Sequence, residues 1–181
     1  MVALRIDSRA LAALATRFGR LHGDGRLHRA ITEGLREGGD KTRTAVRRAL
    51  VQQTGVKAYK SITSRTRSFA EDGGLRYVIV GAGKGMPLRE FPAKIARGAG
   101  GGVSGTPWAT AHKFKRSFAL RGRDIDSARA RTTSKRFPIR KLYGPSVAKE
   151  IVKGQSASAF FAGAETFVLD RIIVRIGRGL G

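Results

Sequence analysis

With 181 residues, of which 41% are hydrophobic, the chain suits one domain with terminal extensions. A domain of this size buries about two-thirds of its unfolded surface and so forms one core without staples. It has no cysteine, which excludes a disulfide framework and a cysteine-ligated zinc site. Lys and Arg number 36 against 13 Asp and Glu, a net charge of +23. Such a field attracts nucleic acid, an anionic membrane or an acidic protein surface, without choosing among them. The long uncharged stretches, Gly98–His112 and Gly154–Ala164, fall short of the ~20 apolar residues of a membrane-spanning helix. Met1–Arg20 lacks the basic start, apolar run and cleavage site of a signal peptide.

In chain order, residues 1–26 read as a helical segment, with Ser8 as a cap and Leu11, Leu14 and Phe18 at helical spacing. Residues 27–181 read as a single α+β domain. The clearest helix runs from Leu27 to Gln53, with Ile31, Leu35, Thr42, Val46 and Leu50 on one side and charged residues on the other. Gly38–Gly39 costs about 1 kcal/mol per glycine relative to Ala in mid-helix, and permits a kink or a close helix contact. Val56–Arg67 reads as partly helical, its extent blurred by Ser and Thr side chains that compete for backbone hydrogen bonds.

Leu75–Val80 is expected to be a strand, between turns at Gly73–Gly74 and Gly81–Gly85. Met86–Gly105, with Pro87, Pro92 and the Gly98–Gly102 run, is expected to be a long flexible arm that orders on assembly. Three strands are expected at Phe114–Leu120, Ala128–Thr133 and Arg136–Leu142, and Pro138 puts the last at an edge or delays its start. Helix resumes near Ser158, while the β-branched run Ile172–Ile176 leaves a terminal strand open. The expected architecture is therefore α+β: long N-terminal helices packed on an antiparallel sheet, with a C-terminal helix.

Catalytic patterns are missing from the sequence. Gly81-Ala82-Gly83-Lys84-Gly85-Met86 has Gly85 where a phosphate-binding loop needs Ser or Thr, and Met86 where a dinucleotide fingerprint needs Gly or Ala. His22 and His28 lie six apart and share no ligand face. His112 sits among Lys113, Lys115 and Arg116, which repel a cation. Asp124 and Asp126 have no third acid nearby and read as turn formers. No metal, cofactor or catalytic residue is expected. The basic stretch Lys113–Lys141 is opposed by Asp124 and Asp126 alone. Within it Arg129 and Arg131 share one strand face, either lining a path for phosphates or simply solvated.

The segment Arg136-Phe137-Pro138-Ile139-Arg140-Lys141-Leu142-Tyr143-Gly144-Pro145-Ser146-Val147 resembles the signature stretch of the prophage minor tail protein Z and tail-completion family of bacteriophages. Ala148–Val152, Val51–Lys57 and Met86–Phe91 fit the family in the same order, so the resemblance spans about residues 30 to 175. The Gly98–Gly102 insertion and the Asp124/Asp126 loop depart from it. The resemblance implies a non-catalytic virion protein of the tail or neck, made in the host bacterial cytoplasm, with no cofactor and no membrane partner. It implies a homo-oligomer, a cyclic ring, beside other tail or head–tail connector proteins, with double-stranded DNA as a non-specific partner in the lumen. On that reading Pro138, Ile139, Leu142, Tyr143, Gly144, Pro145 and Ser146 hold a stiff turn or an intersubunit contact. Arg129, Arg131, Arg140 and Lys141 are the candidates to face DNA. The alternative is a free basic nucleic-acid-binding protein.

Overall fold

The computed structural model describes residues 2–9, 25–96, 102–120 and 124–180. One helix, α1 (Arg26–Thr54), runs through the fold. Ala30, Gly34, Gly38, Thr42, Val46, Leu50 and Thr54, every fourth residue, are buried. A step of four residues advances about 40° beyond one full turn, so this buried line winds slowly around the helix. Gly55 ends it in a left-handed conformation (φ 72°), its N–H bonded to Val51 O at 2.9 Å. The amphipathic reading of Leu27–Gln53 thus placed this helix to within a residue at each end.

Two short helices, α2 (Tyr59–Thr63) and α3 (Val147–Glu150), follow α1 in the chain. Two layers cover α1. On one side lies the C-terminal rod: α4 (Gly154–Gly163), a π-helical turn (Ala164–Val168) and α5 (Leu169–Leu180). The β-branched run Ile172–Ile176 is therefore helical, with Ile172 buried. The glycines of α1 let the rod approach closely. A Cβ on Gly34 would lie 2.7 Å from the Ile172 Cα, and one on Gly38 would lie 2.6 Å from the Val168 Cα. Of the two readings of Gly38–Gly39, close contact is the one realised. Gly39 in turn accommodates the Tyr77 ring, which would stand 2.5 Å from a Cβ there.

On the other side is an antiparallel sheet of order β1-β3-β2, made of Val2–Asp7, Arg76–Gly81 and Thr66–Glu71 respectively. The Tyr77 hydroxyl donates to Asp40 Oδ1 at 2.5 Å. Burial, reinforced by that bond, pushes its pKa up to about 12. The first strand corrects the helical reading of the N-terminal segment. Val2–Asp7 pairs with β3, and Ser8 donates through both N–H and Oγ to Leu75 O (2.9 and 2.6 Å). Residues 10–24, where Leu11, Leu14 and Phe18 fall, lie outside the described residues.

Two further antiparallel sheets complete the fold. The first, in the order β4-β5-β6, holds Ala93–Ile95, Val103–Gly105 and His112–Lys113. The second, in the order β7-β8-β9, holds Ser117–Ala119, Ala128–Arg131 and Ile139–Lys141. Ser117 ties them together, its hydroxyl accepting from Val103 N at 2.7 Å and donating to Phe114 O at 2.6 Å. The three strands expected between Phe114 and Leu142 are present and shorter, and β9 begins after Pro138 at a sheet edge.

The expectation of a flexible arm over Met86–Gly105 is overturned for its described part. Met86, Leu88, Phe91 and Val103 are fully buried in the core, worth about 1.5–3 kcal/mol each. Arg65 clamps the segment through a bidentate pair with Glu90 (2.6 and 3.0 Å). Residues 97–101 lie outside the described residues.

The Leu142–Ser146 turn clasps the start of this segment. Gly144 N donates to Met86 O (2.8 Å), Met86 N to Pro145 O (3.0 Å), and Ser146 Oγ to Gly83 O (3.0 Å). A Cβ on Gly144 would run into the Phe91 ring, which is itself enclosed. Gly144→Ala is therefore expected to cost about 1–3 kcal/mol in urea denaturation; wild-type stability would show that the clasp is loose.

Candidate nucleic-acid interface

The strand Ala128-Arg129-Ala130-Arg131 sets up the site. Its alanines are buried and point inward, so its arginines point outward. Register extends the pattern to both neighbours. Arg129 stands opposite Phe118 on β7 and Lys141 on β9, and Arg131 opposite Ile139. Residues directly opposite share a face of the sheet, so Phe118, Arg129, Arg131, Ile139 and Lys141 form one outer surface. Arg140 stands opposite buried Ala130 and belongs to the other face. The four proposed DNA-facing residues therefore divide three to one.

The three differ in freedom. Arg129 is half-buried, and its guanidinium donates to Asp126 O and Ala128 O (3.2 and 3.1 Å). Arg131 is exposed, its guanidinium 5.0 Å from the centre of the Phe118 ring. Lys141 places its Nζ 5.8 Å from the centre of the Tyr143 ring. At the edge beyond β9, Arg136 covers Phe137 in the same way at 5.6 Å. Phe137 is 62% exposed and Tyr143 48% exposed.

Phe118, Phe137 and Tyr143 were not singled out by sequence as partners of the cations. For Phe118 no signal was present: between Ser117 and Ala119 a phenylalanine reads as the inward residue of an alternating strand, whereas here Ser117 is the buried one.

From Ser127 to Lys149 the chain has seven cations and no acid. Of the nearest carboxylates, Asp126 is engaged by Arg89 at 2.7 Å, and Asp124 accepts from Asp126 N at 2.9 Å. Cations directly opposite one another, such as Arg129 and Lys141, destabilise a sheet. None of the three strands carries a carboxylate to offset that cost. The basic surface continues through a groove of about 480 Å³ lined by Lys113, Lys115, Arg116, Phe118 and Arg131. Beyond it lies a hollow of about 620 Å³ that takes in Lys57, Lys94 and His112. There Lys94 and Lys113 flank Ser104 across three strands.

Of the family-like motif, Leu142, Gly144 and Pro145 are buried, Ile139 and Ser146 half-buried, and Pro138 exposed. The motif therefore anchors β9 in the core and presents Tyr143 outward. Among the described residues no three His, Cys, Asp or Glu side chains come together in an arrangement able to hold a metal ion. No described helix is long and apolar enough to cross a membrane. Comparison with protein-family models, with curated proteins and with solved structures gives no match to this chain.

Proposed function

We propose that the chain is a structural, non-catalytic subunit of a bacteriophage virion, a tail-completion or terminator-type protein at the head-proximal end of the tail or the head–tail junction. Its place is a cyclic homo-oligomer beside other tail or connector proteins, assembled in the host cytoplasm, with the outer face of β7–β9 turned to the DNA path. The resemblance over residues 136–147 supports the class. The observation that carries the DNA contact is the outer face itself, where Arg129, Arg131 and Lys141 stand together with no acid on their strands. Phosphates attract such a surface regardless of sequence. The same face supports a second reading, a free basic nucleic-acid-binding protein.

Replacing Arg131 and Lys141 together by Gln tests the contact. Arg131 is exposed and Lys141 half-buried, and surface charges contribute little to stability, so the fold is expected to hold. Affinity for duplex DNA should fall, and the slope of log affinity against log salt should shrink by about 2, roughly 0.9 for each phosphate no longer neutralised. Arg140→Gln, on the opposite face, should change it less. Unaltered binding in the double variant would refute the DNA-facing role. Immunogold labelling of purified particles separates the two readings: signal at the tail neck supports the virion subunit, and none supports the free protein.

A further inference from the structure

From the aromatic rings set among these cations, we infer that this face binds unpaired nucleotides, taking bases onto its rings as well as phosphates onto its cations. The inference rests on reading the β7–β9 face as a nucleic-acid surface and names the form it prefers. A duplex hides the faces of its bases and offers mainly phosphates to a non-specific basic surface. Cations alone would meet that need. Single strands expose their base faces, and proteins that hold them without sequence preference combine a positive track with aromatic platforms.

The pairing here has that form. Three aromatic rings each lie beside one cation: Phe118 by Arg131, Phe137 by Arg136 and Tyr143 by Lys141. A cation held over one side of a ring leaves the other side for a base. Phe137 is largely in water and Tyr143 about half so, and the exposed part of a large ring gains nothing from burial. Tyr143 is held outward by a rigid support, since Leu142, Gly144 and Pro145 on either side of it are buried. The groove beside Arg131, with Lys113, Lys115 and Arg116 along its wall, provides the positive track from the same surface.

The experiment is fluorescence anisotropy with a labelled thymidine oligonucleotide and with a hairpin duplex of equal phosphate number, at two salt concentrations. The wild-type chain is expected to bind the single strand more tightly. In Phe137→Ala/Tyr143→Ala, which leaves every cation in place, single-strand affinity should drop about 10-fold or more while duplex affinity stays within about twofold. Phe137→Trp/Tyr143→Phe, which keeps two aromatic faces, should retain the wild-type preference and guards against a general loss of folding. If both affinities fall together, or neither moves, stacking is overturned and the phosphate-binding reading stands. If the wild-type chain binds neither form, the nucleic-acid reading of the face falls as well.

Discussion

A Gly38→Val chain should be about 3 kcal/mol or more less stable than wild type, at the upper end of what overpacking costs. The reason is the seam between α1 and the C-terminal rod. A Cβ at residue 38 meets the Val168 Cα at 2.6 Å and the Phe167 carbonyl oxygen at 2.8 Å. Both are backbone atoms of a helix and cannot rotate aside, so the helices must part. The gain of about 1 kcal/mol from removing a helical glycine is too small to offset this. Gly177 in α5 provides the contrast, because nothing lies within 4 Å of a Cβ there. Gly177→Ala should therefore stabilise by up to about 1 kcal/mol. Urea midpoints of the two variants should move in opposite directions, and a neutral Gly38→Val would deny the close seam.

Glu150→Gln should cost about 1–3 kcal/mol at neutral pH, the penalty for disrupting buried, charge-assisted hydrogen bonds. Glu150 is a buried acid that gathers donors from three parts of the chain. Gln53 Nε2 donates to Oε2 at 3.0 Å, Trp108 Nε1 to Oε1 at 3.3 Å, and Lys153 Nζ lies 3.1 Å from Oε1. Burial on its own would raise the Glu150 pKa; the bonds from Gln53, Lys153 and Trp108 outweigh it and hold the pKa below its ordinary 4.5. A carboxylate whose pKa is lower folded than unfolded contributes stability that is complete above the unfolded value and is lost as pH falls through the folded one. The difference in stability between wild type and Glu150→Gln should therefore be constant above about pH 5.5 and narrow in acid below about 4.5. Denaturation series across that range would check it. A gap that widens in acid would mean that burial, not bonding, governs this group.

These two sites differ in how far sequence reveals them. The long helix α1 was legible because its apolar positions recur over many turns. That Gly38 is a contact and not a kink depends on a partner some 130 residues away, which no local pattern encodes. The strand β1 carried a signal in the alternation of Val2, Leu4 and Ile6, but six residues are few beside the helical spacing that follows Ser8. Thr66–Glu71 was obscured by the Ser and Thr residues just before it. The core residues Met86, Leu88 and Phe91 sit in irregular backbone at spacings of two and three, matching neither period, so a packed segment read as an arm. In the site, Arg129 and Arg131 were assigned to one face because they lie on a single strand. That Arg140 falls on the opposite face was not legible, because its face depends on the register between β8 and β9. The seven residues that join these strands set that register, and alternation within one strand says nothing of it.

The glycine seam also sets a timetable for synthesis. Gly34 and Gly38 leave the ribosome some 130 residues before Val168 and Ile172, which cover them. At translation rates of about 5–20 residues per second, α1 waits on the order of 10 s for its second partner. During that wait the sheet of β1, β2 and β3 is already available to its other side, but the Gly34–Thr42 line lies open to water and to other nascent chains. Synthesis cut short before residue 160 would leave a chain with its basic strands complete and its central helix half clothed, a natural substrate for chaperones and proteases.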